Sequence, residues 1–302
     1  MKYRVIHETR YMYEKPVSLC HTLAHLVPRY LPHQKVLRTH LAIDPVPVAY
    51  REHRDIFGNT VSYFALQYPH DHLVVTAESI VELGERENAG RNSSKLSWED
   101  VRERLKNHLV PGFLDVRHFI LPSPLVAPSS ELAAYAAPSF TPDRPALEAF
   151  QDLMERISGD FAFVPGYTTV STPLREVLKH RKGVCQDFVH LAIGCLRSMG
   201  FAARYVSGYI ETLPPPGKEK MRGTDVSHAW YAAYVPGLGW SEYDPTNNLV
   251  PSDQHVTVAY GRDYSDVVPV KGVIFSSGSQ QLLVSVDMER LNAAFPVQGQ
   301  LP

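Results

Sequence analysis

Cysteine is scarce in this chain, and the motifs missing around it narrow the chemistry. The 302 residues include three cysteines, Cys20, Cys185 and Cys195, too few and odd in number for a disulfide framework, which points to a reducing compartment. There is no Cys-x-x-Cys and no His-Glu-x-x-His. His180, Cys185, His190 and Cys195 lie close in sequence, but His190 falls off the helical face of Cys185, so neither a metal site nor a cofactor is expected. Positive charge is not in excess: a formal charge of −2 leaves no reservoir for a nucleic-acid backbone or an anionic membrane. No apolar run approaches membrane-spanning length, and the charged opening from Met1 to Glu8 lacks the apolar core of a secretion signal. A cytoplasmic protein without nucleic-acid or membrane partners is the expectation. What the chain does have is 44% hydrophobic residues, ample for a buried core in one large domain or two ordinary ones.

Residues 1–90 carry short β-like runs set between proline, glycine and asparagine. Tyr3 to Thr9, Leu41 to Ile43, Val61 to Leu66 and Leu73 to Val81 read as strands, with Asp55-Ile56-Phe57-Gly58-Asn59 as a hairpin turn. The expectation is an all-β sandwich-like domain over 1–90, ending in a polar linker from Gly90 to Ser94. Beyond it the periodicity is helical, and 91–302 reads as an α+β core with a C-terminal β extension that includes His255 to Tyr260 and Gln281 to Asp287. Ser97 and Ser130 suit N-caps for helices from Trp98 and Glu131. Thr141-Pro142 and Thr172-Pro173 suit two further helix starts, running to about Ile157 and to His180.

One helix stands apart. After Cys185, the residues Phe188, Leu191, Ala192, Cys195 and Met199 form a stripe, while Val189, Ile193 and Leu196 cover the opposite side, which predicts a buried helix ended by Gly200. Cys185 would sit at its N-terminal mouth. Ala202 to Ile210 follows as a strand, then a Pro214-Pro215-Pro216-Gly217 surface loop, then a hairpin of Ser227 to Val235 and Trp240 to Asp244. If Val235 pairs with Gly239, or Tyr234 with Trp240, Trp230 stands opposite Asp244, and alternation puts His228, Trp230 and Asp244 on one face. A slip of one residue sends His228 to the other face.

Cys185, His228 and Asp244, in that chain order, are the residue types of a thiol nucleophile, its base and the group that orients the base. The thiolate is the reactive form of cysteine, and a helix N-terminus and a His228 imidazolium are two sources of positive charge for it. Asp244 would hold the other ring nitrogen of His228. Asp187, one turn into the same helix, opposes a thiolate unless it points away or pairs with Arg181 or Lys182. The Cys185 backbone N–H offers one oxyanion donor, and Tyr167 or the Gln186 side chain a second. Taken singly, each residue has a plainer reading: a buried inert cysteine, a structural histidine, a turn aspartate.

Gly183-Val184-Cys185-Gln186-Asp187-Phe188, Ala203 to Tyr209, Ser227-His228-Ala229-Trp230 and Asp244-Pro245-Thr246 together resemble the transglutaminase-like superfamily, specifically its bacterial branch. Gly261 to Val267 and Leu282 to Val286 are similar to it as well, and the opening segment resembles the β domain that precedes the core in that branch. The resemblance implies a papain-like core, a helix-borne cysteine against an antiparallel sheet, with Cys185 as nucleophile, His228 as base and Asp244 as orienter. It implies acyl transfer through a thioester on peptide or glutamine-type carboxamide bonds of a peptide or protein substrate, resolved by water or by an amine. Animal crosslinking transglutaminases are known for a tryptophan before the cysteine helix, whereas here Trp98 is the sole tryptophan between the linker and Cys185; no EF-hand loop implies calcium. Hydrolysis by a peptidase or amidase is therefore the expectation. The alternatives are an amine-accepting transglutaminase, a non-catalytic peptide-binding scaffold on the same fold and, more distantly, an arylamine acetyltransferase.

Overall fold

Hydrophobic alternation dominates the first part of the chain, and it builds strands. The computed structural model describes residues 1–86, 95–109, 112–212 and 227–291; the expected linker at Gly90 to Ser94 and the loop at Pro214 to Gly217 lie outside them. The strands of the opening segment are β1 (Lys2–Val17), β2 (Leu19–Ala24), β3 (Gln34–Asp44), β4 (Ala49–Arg54), β5 (Thr60–Leu66) and β6 (His70–Leu83). Then come α1 (Trp98–Lys106), α2 (Phe113–Arg117), α3 (Ser130–Ala136), α4 (Ala146–Asp160), β7 (Ala162–Phe163), α5 (Leu174–His180), β8 (Lys182–Gly183) and α6 (Cys185–Ser198). Last are β9 (Ala203–Ile210), β10 (Ser227–Val235), β11 (Gly239–Tyr243), β12 (His255–Gly261), β13 (Val270–Phe275) and β14 (Gln280–Arg290). Among the described residues no helix is long and apolar enough to cross a membrane.

Two four-stranded antiparallel sheets form the sandwich, in the orders β14-β1-β6-β3 and β13-β2-β5-β4. Along β1 and β6 every second side chain turns inward, and Val17, Phe64, Leu66, Leu73 and Val75 close the core between the sheets. Each large side chain buried there contributes about 2 kcal/mol. The C-terminal β extension expected with the core is divided by its pairing. β12 joins the core sheet, but β13 pairs with β2 and β14 pairs with β1, so residues 270–290 complete the N-terminal sandwich. The physical reason lies in the edges: β1 and β2 would otherwise present unpaired backbone, and β14 buries Val286 and Met288 against the neighbouring core.

The second unit packs α6 between α3, α4 and α5 on one side and the sheet β11-β10-β9-β12 on the other. From Asp187 to Arg197 every residue of α6 is buried, as its all-round apolar pattern predicts. Helix starts differ in detail from expectation. Ser97 caps α1, but Ser129 rather than Ser130 caps α3, its Oγ accepting from the Leu132 N–H at 3.2 Å. Thr141-Pro142 starts no helix: Asp143 has φ 61°, which breaks the turn, and α4 begins at Ala146 after Pro145.

The outer edge of the core sheet, β12, is closed by side chains of the N-terminal domain. Gln34, fully buried, donates from Nε2 to Thr257 O (2.7 Å) and accepts the Thr257 N–H at Oε1 (2.8 Å). Asn59 repeats the pattern on Tyr260, donating to its carbonyl at 2.7 Å and accepting its N–H at 2.8 Å. Each amide acts as one residue of a missing partner strand, and a register shift between Thr257 and Ala259 turns both backbone positions outward. Asn59 Oδ1 also accepts from Arg29 at 2.5 Å, and its Nδ2 donates to Asp55 at 2.7 Å. Asn59→Ala is therefore expected to cost about 2–4 kcal/mol, because it strands buried donors and acceptors on both domains. Urea unfolding checks this; a loss below about 0.5 kcal/mol, the scale of a surface substitution, would refute the closure.

Candidate active site

The N-terminus of α6 places Cys185 half-buried at the surface of the core, while the rest of the helix is sealed. An α-helix leaves its first N–H groups without intrahelical acceptors, so those of Cys185 and Gln186 lie at the mouth, beside the sulfur. Asp187 neither faces outward nor pairs with Arg181 or Lys182. Its Oδ2 reaches back to accept the Val184 N–H (2.8 Å) and the Thr168 hydroxyl (2.5 Å). Burial raises the Asp187 carboxyl above its usual range, against the pull of those two hydrogen bonds. A Cβ on Gly183 would come within 2.7 Å of that carboxylate, so glycine is what the close approach requires. Asp187→Ala is expected to lower stability by about 1 kcal/mol, the scale of a lost helix cap, and to release the loop carrying Thr168. Thermal unfolding together with proteolysis near residue 168 would check both effects.

The hairpin has the register that aligns the candidate residues: Val235 pairs with Gly239, Tyr234 with Trp240 and Tyr231 with Tyr243. Extending the ladder by one step sets Trp230 opposite Asp244, and His228 lies two residues further on the same face. His228 faces Gly208 of β9, where a Cβ would meet Val256 O at 2.1 Å and the Trp230 ring at 2.6 Å, so glycine lets the strands and the indole close beneath the histidine. His228 Nε2 lies 2.7 Å from Asp244 Oδ2. Cys185 acts on the same ring, its side chain adding to the forces that favour the charged imidazolium. Burial alone would lower the His228 pKa, but hydrogen bonds to Asp244 and Cys185 and their negative charges raise it to about 10.

Asp244 is fully buried and accepts on both oxygens. Oδ1 takes the backbone N–H groups of Thr246 (3.0 Å) and Asn247 (3.2 Å), and Oδ2 takes Asn247 Nδ2 (2.8 Å) and His255 Nε2 (3.3 Å) besides His228. The turn role and the histidine-orienting geometry thus coexist. Burial raises the Asp244 pKa, yet the hydrogen bonds from His228 and His255 and the His228 charge leave it below the usual carboxylate range.

His255 and Asn247 are not singled out by the sequence, nor are Tyr205 and Tyr264, whose hydroxyls burial and the nearby Cys185 charge keep protonated. Tyr205 and Tyr264 stand edge to face, ring centroids 6.2 Å apart. His190 serves the packing of the core. Its Nε2 accepts the Tyr264 N–H at 3.1 Å, and burial lowers its pKa to about 4. Cys195 is sealed in the core, with its thiol pushed up to about 12 by burial, and His180 pairs with Glu176 on α5. Of the two oxyanion candidates, Gln186 is half-buried in the first turn beside Cys185, whereas Tyr167 is 46% exposed and packs against His180 and Lys182. Trp98 lies elsewhere, its indole N–H donating to Thr141 O at 2.8 Å. His228, Asp244 and His255 have the residue types of a metal cluster, with ligand atoms within 4.8 Å of one another, but both rings already bond the same carboxylate oxygen.

Fold and site together define an α+β core of the transglutaminase-like class. The transglutaminase-like superfamily matches residues 133–245, and the bacterial transglutaminase-like N-terminal region matches residues 3–82. Uncharacterized proteins of Mycobacterium tuberculosis and Mycobacterium bovis are 40% identical to this chain over 294 residues, which span 95% of it and 92% of theirs. One from Mycobacterium leprae is 33% identical, covering 95% of this chain and 98% of its own. The chain belongs to the bacterial transglutaminase-like family. The crystal structure of a candidate cysteine protease from Cytophaga hutchinsonii shares the fold, with a TM-score of 0.76 and 21% identity over 98% of this chain and 92% of that one.

Proposed function

We propose that the protein is a cysteine-dependent acyl-transfer enzyme that cleaves peptide or glutamine-type carboxamide bonds through a thioester on Cys185. The observation that carries this reading is the buried His228, hydrogen-bonded to Asp244 at 2.7 Å and held in its charged form by Asp244 and by the Cys185 side chain. The Cys185 thiolate attacks the carbonyl carbon, forming the C–S bond while the amide N–H groups at the helix mouth receive the oxyanion. His228 gives its proton to the departing nitrogen, which leaves as ammonia or an amine. It then takes a proton from water, whose oxygen displaces the thioester sulfur and releases a carboxylic acid. Asp244 holds the ring and stays ionised throughout.

Water is the favoured acceptor because the tryptophan that marks animal crosslinking enzymes has no identified counterpart before the Cys185 helix, the Trp98 indole N–H being bonded to Thr141 O. The substrate is a peptide or protein, with no nucleic acid or membrane involved, and the free thiols of Cys20, Cys185 and Cys195 suit the cytoplasm. Incubation with glutamine-containing peptides, with and without a primary amine, tests the proposal by mass spectrometry. The expected products are free acid and ammonia, with an acyl adduct on Cys185 early in turnover. Absence of both adduct and turnover across a peptide library would sink it, and an amide as the main product would assign the transferase instead.

A further inference from the structure

β11 and β12 occupy opposite edges of the core sheet, yet His255, the first residue of β12, meets Asp244 just beyond β11. The 245–254 segment crosses the sheet end to bring them together. His255 is fully buried, and its Nδ1 lies 3.4 Å from the Ser252 N–H, a donor. That nitrogen is therefore the acceptor, and the proton sits on Nε2, which points at Asp244 Oδ2 from 3.3 Å. The ring stands edge-on to Trp230, centroids 5.1 Å apart, and 6.2 Å from the His228 ring. The charged and titratable groups around it are Asp244, His228 and Arg86. Two histidines thus share one carboxylate oxygen in unlike roles, one facing the thiol and the other fixed from behind.

We infer that His255 is a positioning residue for this site, and that the N-terminal domain acts on the site through it. The Nε2–H of His255 fixes the rotamer of Asp244, and Asp244 in turn fixes the ring of His228. What holds His255 comes from outside the core. Arg86, just past β6, donates to His255 O (3.1 Å) and Ser252 O (3.2 Å) and ion-pairs with Glu242, which in turn accepts from the Trp230 indole at 2.9 Å. Two residues along β12, Gln34 pairs both backbone groups of Thr257. The strand that carries His255 is therefore registered by the N-terminal domain as well as by β9.

This inference rests on the cysteine-enzyme reading, and the test keeps the two apart. In the full chain, alkylation of Cys185 by iodoacetamide is followed by peptide mass spectrometry between about pH 5 and 10, with circular dichroism to check folding. Wild type is expected to react faster than a model thiol at neutral pH, and His228→Gln to lose that advantage; if wild type behaves as a model thiol, both readings fall. With that advantage present, His255→Leu is expected to slow alkylation at neutral pH about tenfold, and His255→Gln, whose amide N–H replaces Nε2–H, to stay within about threefold of wild type. Equal loss in both variants, or loss in neither, overturns the role of His255. Gln34→Leu is expected to slow it about threefold, and an unchanged rate removes the part assigned to the N-terminal domain. A second measurement needs no substitution. Long-range proton–nitrogen NMR is expected to show His255 as the neutral Nε2–H tautomer, and an Nδ1–H tautomer would refute the inference because that ring could not donate to Asp244.

Discussion

Replacing Cys185 by alanine is expected to reduce ammonia or amine release from glutamine-type and peptide substrates by about 10⁴-fold or more, because the thioester has no other atom on which to form. Cys195, ten residues further along α6, is 0% exposed, and burial pushes its thiol pKa up to about 12. Cys20 is buried against Thr22 in the sandwich, and its thiol is likewise raised by burial. Neither can substitute. The stability of Cys185→Ala should stay within about 1 kcal/mol of wild type, since the side chain is half-buried and fills no sealed cavity. The check is to measure turnover and thermal unfolding on the same preparation. Residual activity above about a tenth would move the chemistry away from this sulfur.

Asp244→Asn should produce the second large effect, and it separates charge from shape. The amide keeps the volume of the carboxylate but cannot stabilise the His228 imidazolium, and its NH₂ must face donors arranged for an anion. Acyl transfer is expected to fall about 10⁴-fold, as when a buried orienting carboxylate is neutralised. Stability near neutrality is expected to fall by about 3 kcal/mol, the scale of breaking a buried ion pair. The pH dependence carries a sign. His228 is raised from 6.5 to about 10, so its contribution is complete below about pH 6.5 and lost as pH rises through about 10. Asp244 is depressed below 3.8, so its contribution is present above that value and lost as pH falls through its lowered folded value. Wild type should weaken on the alkaline side from about pH 6.5 upward, and Asp244→Asn should flatten that limb. Melting temperatures measured across pH for both proteins decide the matter; parallel curves would show that the pair does not govern the profile.

Local pattern makes the elements of the site legible. Cys185 at a helix start and His228 on a strand follow from periodicity and capping, and the Pro236-Gly237-Leu238-Gly239 turn sets a hairpin register that the structure shares. Asp187 is legible as a residue but not as a contact, because its partner Thr168 comes from a loop with no periodic signal. His255 reads as part of a strand, yet its meeting with Asp244 depends on a crossing over the sheet end, and no repeat of two or 3.6 residues encodes such a crossing. The closing of the N-terminal sandwich by β13 and β14 escapes the sequence for a similar reason: Leu282 to Val286 has strand character, but character does not name a partner. Asn59 reads as part of a turn and Gln34 carries no pattern of its own, and the purpose of their buried amides emerges only once an unpaired strand edge is set beside them.

The pairing of β1 with β14 also has a consequence in time. A ribosome releases Tyr3 long before Arg290, its neighbour across the ladder, so the first sheet cannot finish until all the core elements from α1 to β12 have been made. The core sheet, β9 to β12, is complete in the growing chain before β13 and β14 emerge, so the early strands wait with an open edge. Cutting the protein between its two matched regions would not yield two tidy halves: the front piece would lack two of its eight sandwich strands, and the rear piece would carry them with nothing to pair against.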